Sequence, residues 1–274
     1  MVAVTADTGW VTESVSIDHT TPQSARIWNY WLGGKDHYPV DREAGDEVRA
    51  RIPDIADGAR AERAFLVRVV RFLVAEAGIR QFLDVGTGLP VLNNTHEVAQ
   101  AMAPDCRIVY VDNDPLVLAH ARALLTSTPE GVADYLHADL RDPEKILREA
   151  ARTLDFRQPV GLMLLGVVNH IMDSDEAHAV VNRLVAALPP GSYLALSHST
   201  AEIHGEPMLE VMSELTKRGG TPITARTRQE LVHFFDGLEL LDPGVVSCSL
   251  WRPDPIQIGV PAEVYLFGGV GRIW

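Results

Sequence analysis

Glycines and carboxylates recur where apolar runs of this chain end. FLDVGTGLP (82–90) carries an apolar run into Asp84, Gly86, Thr87 and Gly88; VYVDND (109–114) ends another in Asp112 and Asn113; HADLRD (137–142) ends a third in Asp139 and Leu140. Glycine lets a ligand approach the backbone because no Cβ intervenes. A carboxylate can accept from two adjacent hydroxyls, and Asp112, 26 residues beyond Gly86, stands where α/β sheets hold a ribose. Asp139 can accept from an adenine amino group beside the Leu140 N–H. A single such acid is ordinarily a cap or turn residue. Three in one alternating pattern describe a nucleoside site.

The elements that must position these groups follow from periodicity. Continuous apolar runs predict strands at 81–85, 107–111, 133–138, 160–165 and 193–197, and amphipathic spacing predicts helices at 95–103, 115–127, 143–152 and 176–188. Such alternation implies a parallel sheet covered on both faces. After a helix near 228–235, the segments 238–241, 245–250 and 264–267 lack intervening helices and predict an antiparallel finish. Upstream, Ser24 is suited to cap a short helix bearing Trp28, Tyr30 and Trp31, a second helix is expected after Asp41, and a longer one over 58–77 ends at Gly78. Asn93, Asn94 or Thr95 can start the helix after the glycine loop.

Composition narrows the ligand. The chain has 274 residues, 46% hydrophobic, enough for one large α/β unit with added elements, and its formal net charge of −13 disfavours nucleic acid. The arginine-richer stretch 42–71 interleaves acids at helical spacing and reads as solvated helix faces. No apolar run approaches a membrane span, and the first twenty residues lack a basic-then-apolar leader, so a cytoplasmic protein without a membrane partner is expected. Cys106 and Cys248 are too far apart in sequence for a metal motif, and HEVAQ (96–100) lacks the second histidine of a zinc-protease helix.

In a dinucleotide fingerprint a third glycine sets the helix start against a pyrophosphate. Here Leu89-Pro90 occupies that place. A ligand with ribose and adenine but no phosphate satisfies the pattern, and S-adenosylmethionine, with S-adenosylhomocysteine as product, is such a ligand. NAD-dependent oxidation is disfavoured by the same substitution and by the lack of a Tyr-x-x-x-Lys pair.

Together with these motifs, ARIWNYWLGGKDHYPVDREAGDEV (25–48), YVDNDP (110–115), YLALSHST (193–200), RTRQELVHFFDGLELLDPG (226–244) and WRPD (251–254) give the chain its family likeness. It resembles the actinobacterial S-adenosylmethionine-dependent methyltransferase family formerly described as a domain of unknown function, over about residues 22–272. The likeness implies a class I, Rossmann-like α/β fold with a mostly parallel seven-stranded sheet, an antiparallel C-terminal hairpin and an N-terminal helical cap. Cofactor contacts are then expected from Tyr30, Gly34, Lys35, Asp84, Gly86, Thr87, Gly88, Asn94, Asp112, Asn113, Asp139, Leu140 and Gly166. VLNNTHE (91–97) and GVVNHIMDSDE (166–176) depart from the family pattern.

The division expected is a flexible tail at 1–21, a helical cap or lid at 22–78 hinged near Gly33-Gly34, and a methyltransferase domain at 79–274. Trp28 and Trp31 read as packing residues. Methyl transfer depends chiefly on positioning, and a base helps when the acceptor is a hydroxyl. His170 is the candidate base and His198 the weaker one, whereas Asp173, Asp175 and Glu176 read as caps. The expected activity is O- or N-methylation of a small-molecule acceptor; a non-catalytic sensor or partner protein that binds S-adenosylmethionine is the alternative.

Overall fold

The structure, a computed structural model, describes residues 18–124, 126–254 and 259–274. Of the expected tail, residues 1–17 lie outside the described residues. Asp18 and Thr21 are held by their carbonyls, which accept from Arg26 Nη1 and Nη2, each at 2.7 Å.

Five parallel strands form the sheet: β1 (Gln81–Val85), β2 (Arg107–Asp112), β3 (Val132–His137), β4 (Gly161–Leu165) and β5 (Tyr193–Ser199). Three more complete it: β6 (Glu239–Leu240), β7 (Val246–Ser247) and β8 (Leu266–Arg272). The order is β3-β2-β1-β4-β5-β8-β6, with β8 antiparallel to β5 and the short β7 pairing with β8 off this path. The expected seven-stranded path and antiparallel finish are therefore present, with β7 added. Successive residues feed opposite cores. Phe82, Ile108 and Met163 pack on one face, Leu83, Val109 and Leu162 on the other. Burial on both faces is why the strands read as unbroken apolar runs.

Helices α4 (Thr95–Met102), α5 (Pro115–Leu124), α6 (Pro143–Ala150), α7 (Ser174–Val185) and α9 (Arg228–Val232) match the expected positions within a turn at their ends. Helix α8 (Glu206–Lys217) has no counterpart in the sequence expectations, although Met208, Val211, Met212 and Leu215 fall at helical spacing. The last strand runs past Phe267 because its glycines admit close neighbours. A Cβ at Gly268 would meet the Phe65 ring, and one at Gly271 the Phe235 ring.

The cap comprises α1 (Ser24–Trp31), α2 (Pro39–Arg51) and α3 (Ile55–Ala75). Ser24 begins α1 rather than capping it; Gln23 is the cap, and its N–H donates to Asp41 Oδ1 at 3.0 Å. Asp41 lies inside α2, not before it, and its Oδ2 accepts from Tyr38 N at 2.8 Å. Arg26 Nε stands 3.2 Å from that same oxygen, and both side chains are shut away from solvent. One buried carboxylate thus fixes the starts of two helices.

Helix α3 lies against the finishing strand through Phe65, which meets Trp251 edge-on at 5.4 Å. Gly58 lets the helix approach still closer, since a Cβ there would collide with the Tyr265 ring. A Gly→Ala change inside a helix ordinarily gains up to about 1 kcal/mol. Gly58→Ala is expected instead to lose about 1–3 kcal/mol through overpacking, read as a lower urea midpoint with an unchanged slope.

Candidate functional site

Parallel sheets open a crevice at their carboxyl ends where strand order reverses, here between β1 and β4. A cavity of ≈ 250 Å³ occupies that place. Gly86, which follows β1, has φ +77°, and a Cβ on it would strike the Val167 side chain in the loop after β4. Only glycine satisfies both conditions. Gly88, at φ +66°, has open space on its Cβ side and donates its N–H to Asp112 Oδ2 at 2.9 Å.

Asp112 Oδ1 accepts from Asp114 N at 2.9 Å, so each carboxylate oxygen holds one backbone donor and keeps capacity for another. Burial pushes the Asp112 carboxyl up to about 6. Burial also raises Asp84 to about 6, against the hydrogen bond that Thr95 Oγ1 donates to it at 2.6 Å. Asp139 behaves differently: burial opposes ionisation, but hydrogen bonds from Arg141 N and Asn113 Nδ2 outweigh it and hold the carboxyl below its ordinary value.

The opposite wall comes from α3. Glu62 is 6% exposed, accepts from Ser197 Oγ, and is raised by burial to about 7. Arg63 donates through Nη2 to Asn93 O at 2.8 Å, while its buried Nε has no hydrogen-bond partner. The expectation of solvated faces over 42–71 is therefore corrected for Glu62 and Arg63, which line the cavity. Helical spacing alone places them beside Phe65 and Leu66, on the buried side. Their charge masks this signal, because charged residues at helical spacing ordinarily face water.

Among the expected contacts, the cavity wall gathers Asp84, Gly86, Thr87, Gly88, Asp112, Asn113, Asp139, Leu140 and Gly166, together with His170. Tyr30, Gly34, Lys35 and Asn94 are not in that wall. Tyr30 directs its hydroxyl to Asp46 at 2.6 Å, and Gly34 packs against the Asn29 amide. Lys35 is exposed. Asn94 caps α4, its backbone N–H donating to Glu97 Oε2 at 2.8 Å. From α1, Trp28, Asn29 and Leu32 face the cavity instead.

His170 closes a 3₁₀ turn (Val168–His170) after β4. Its Nδ1 lies 2.8 Å from Pro222 O, which sets Nδ1 as the donor and leaves the Nε2 lone pair available; burial pushes the imidazole below its ordinary value. His198 spends both nitrogens inside the protein, Nδ1 on Ser199 O at 2.8 Å and Nε2 on Arg226 Nη1 at 2.7 Å. Asp173 caps α7 through Glu176 N at 2.8 Å, as expected. His96 is engaged with the Tyr110 hydroxyl, and no metal-type cluster occurs among the described residues.

A second cavity of ≈ 70 Å³ adjoins the first, and Trp28, His170, Thr221 and Ile223 line both. Its far wall is α8 and Tyr265. Trp28 is thus more than a packing residue, whereas Trp31 lines the second cavity alone.

Comparison with known proteins agrees with this geometry. A family model described as S-adenosyl methyltransferase matches residues 11–274. A DUF574 family protein from Streptomyces avermitilis shares 45% identity over 94% of this chain and 100% of its own, at a TM-score of 0.90. A protein of Thermobifida fusca described as a candidate methyltransferase shares 40% identity over 93% and 96%, at 0.85. A carboxy-S-adenosyl-L-methionine synthase from Chromohalobacter salexigens is 30% identical over 168 residues, and the chain spans 57% of that relative's length.

Burial holds the His198 imidazole down to about 3, well under its unfolded value near 6.5. Acid therefore charges this ring in the unfolded chain first, and its contribution to stability falls as pH drops below about 6.5. Ring ¹⁵N shifts are expected to show His198 as the neutral Nδ1–H form at pH 5; a titration near 6.5 would contradict the assigned bonds.

Proposed function

Because the chain belongs to the S-adenosyl methyltransferase family, we propose that it transfers a methyl group from S-adenosylmethionine to oxygen or nitrogen of a small-molecule acceptor. The carrying observation is the switch-point cavity, with Asp112 beside the Gly86–Gly88 loop at one side and the buried pair Glu62 and Arg63 at the other. Asp112 takes the ribose hydroxyls. Asp139 and the Leu140 N–H take the adenine edge. The zwitterionic methionine end meets Arg63 through its carboxylate and Glu62 with Asp84 through its ammonium, which gives the unpartnered Arg63 Nε an acceptor.

Bound S-adenosylmethionine supplies an electrophilic methyl on a sulfonium. The residues of the chain orient it, and α1 covers the mouth as a lid that keeps water out. A dinucleotide is disfavoured by the start of α4. Asn94 and Glu97 already cap that helix end, the His96 N–H donates to the Tyr110 hydroxyl, and Leu89 is packed with Leu116 and Val117. No helix start is left for a pyrophosphate.

The likeness to a carboxy-S-adenosyl-L-methionine synthase favours a second reading, in which the cofactor itself is modified. Mass spectrometry of nucleosides co-purifying with the protein separates the two: S-adenosylhomocysteine supports methyl transfer, a carboxylated derivative the alternative.

Calorimetric titration is expected to show S-adenosylhomocysteine binding and no tighter binding of NAD. Asp112→Ala should weaken the former by about 1.5–3 kcal/mol, roughly tenfold to 150-fold. An effect within about twofold would remove Asp112 from the ribose.

Hydrogen bonds from ribose hydroxyls favour the ionised Asp112, and the ligand ammonium favours ionised Asp84 and Glu62. Binding should therefore lower carboxyls that stand at about 6, 6 and 7 in the free protein. Proton release is expected near pH 6, fading toward pH 8, measured by calorimetry in buffers of different ionisation enthalpy. Proton uptake would contradict the assignment.

A further inference from the structure

Among the described residues, no acid, lysine or arginine lines the second cavity. A charged acceptor entering it would lose hydration without gaining a partner. Its surfaces suit a ring. Trp28 and Trp31 stand 5.8 Å apart at 57°, and Met208 and Met212 face them from α8, a combination of aromatic planes and thioethers that packs well against aromatic edges and faces. Its volume of ≈ 70 Å³ holds several water-sized groups, which suits a substituted ring and excludes a folded macromolecule.

Ser24, Ser199, Thr221 and His170 bring polar side chains into the otherwise apolar wall. His170 stands where the two cavities meet, its Nδ1 engaged by Pro222 O and its Nε2 free to accept. Tyr265, 3% exposed, keeps a buried hydroxyl with no hydrogen-bond partner. Tyr265 therefore lines the cavity with its ring, since its hydroxyl has no surface open to it.

Building on the methyl-transfer reading, we propose that this cavity is the acceptor chamber and that its acceptor is a small phenol, of one or two rings, whose hydroxyl meets His170 Nε2. His170 acts as general base. The phenol oxygen forms the new C–O bond to the methyl carbon as the C–S bond breaks, the C–S electron pair remaining on sulfur as a thioether. The phenolic proton passes to Nε2 and leaves to solvent when product departs. A neutral imidazole matches this acid, because a phenol ionises near pH 10, whereas a hydroxyl resembling that of water, near 15.7, is far beyond its reach.

The test uses the full chain with S-adenosylhomocysteine bound and a panel of uncharged one- and two-ring phenols, 2-naphthol and 4-hydroxybenzaldehyde among them, against two compounds expected not to bind, the non-aromatic cyclohexanol and the cationic phenol tyramine. Phenols are expected to bind by calorimetry and, with S-adenosylmethionine, to yield aryl methyl ethers by mass spectrometry. Met212→Trp, which fills the chamber, should abolish phenol binding while S-adenosylhomocysteine affinity stays within about twofold. His170→Ala should retain phenol binding and lose about 100-fold or more in turnover. Phenols that bind but are methylated equally well without His170 would overturn the base. Failure of every phenol to bind a protein that binds S-adenosylhomocysteine would overturn the chamber alone, and failure to bind S-adenosylhomocysteine would overturn the underlying reading.

Discussion

Three carboxyl groups, Glu62, Asp84 and Asp112, are held out of water around one end of a parallel sheet, and the surrounding architecture is arranged about that cost. Isolated buried carboxylates are expensive, so they are tethered: Glu62 by Ser197, Asp84 by Thr95, Asp112 by two backbone N–H groups. Each tether comes from a different element. Ser197 lies on β5, Thr95 opens α4, and the donors to Asp112 lie in the loops after β1 and β2. The polar floor of the cavity is therefore also a set of cross-links between strand ends and the layers above them. A ligand carrying hydroxyls and an ammonium completes what these tethers leave undone.

The cap answers to a separate buried charge. Asp41 serves Gln23, Tyr38 and Arg26 at once, which ties the start of α1 to the start of α2 and carries Trp28, Asn29 and Leu32 over the cavity mouth. Removing one partner of such a pair leaves the other charge stranded, so this arrangement holds as a unit. The expected hinge at Gly33-Gly34 lies between the two helix starts that this unit ties together. Gly33 has a left-handed backbone at φ +81°, and Gly34 sits against the Asn29 amide.

The parallel core was legible because strands buried on both faces leave no ambiguity of pattern: 81–85 and 107–111 were placed to within a residue of β1 and β2. The glycine loop and the acids at 112 and 139 were legible because strand ends are where such residues have a reason to recur. What escaped was tertiary. Glu62 and Arg63 look like any solvated helix pair until the helix is laid across the cavity. Tyr30 and Lys35 are neighbours in sequence of Trp28, Asn29 and Leu32 but lie outside the cavity wall, a distinction of about 100° per residue that a short motif does not encode. Helix α8 escaped because its methionines suggest no particular partner until Trp28 and Tyr265 are brought opposite them.

Trp28, His170, Thr221 and Ile223 form a party wall between the two cavities. In the proposed reading the occupants of both cavities pack against that wall, so an occupant that orders it would leave less ordering for the second to meet. Thermodynamic reciprocity makes the favour mutual, since each occupant tightens the other by the same factor. On the proposed reading the affinity for an occupant of either cavity is therefore defined only once the state of the other cavity is stated.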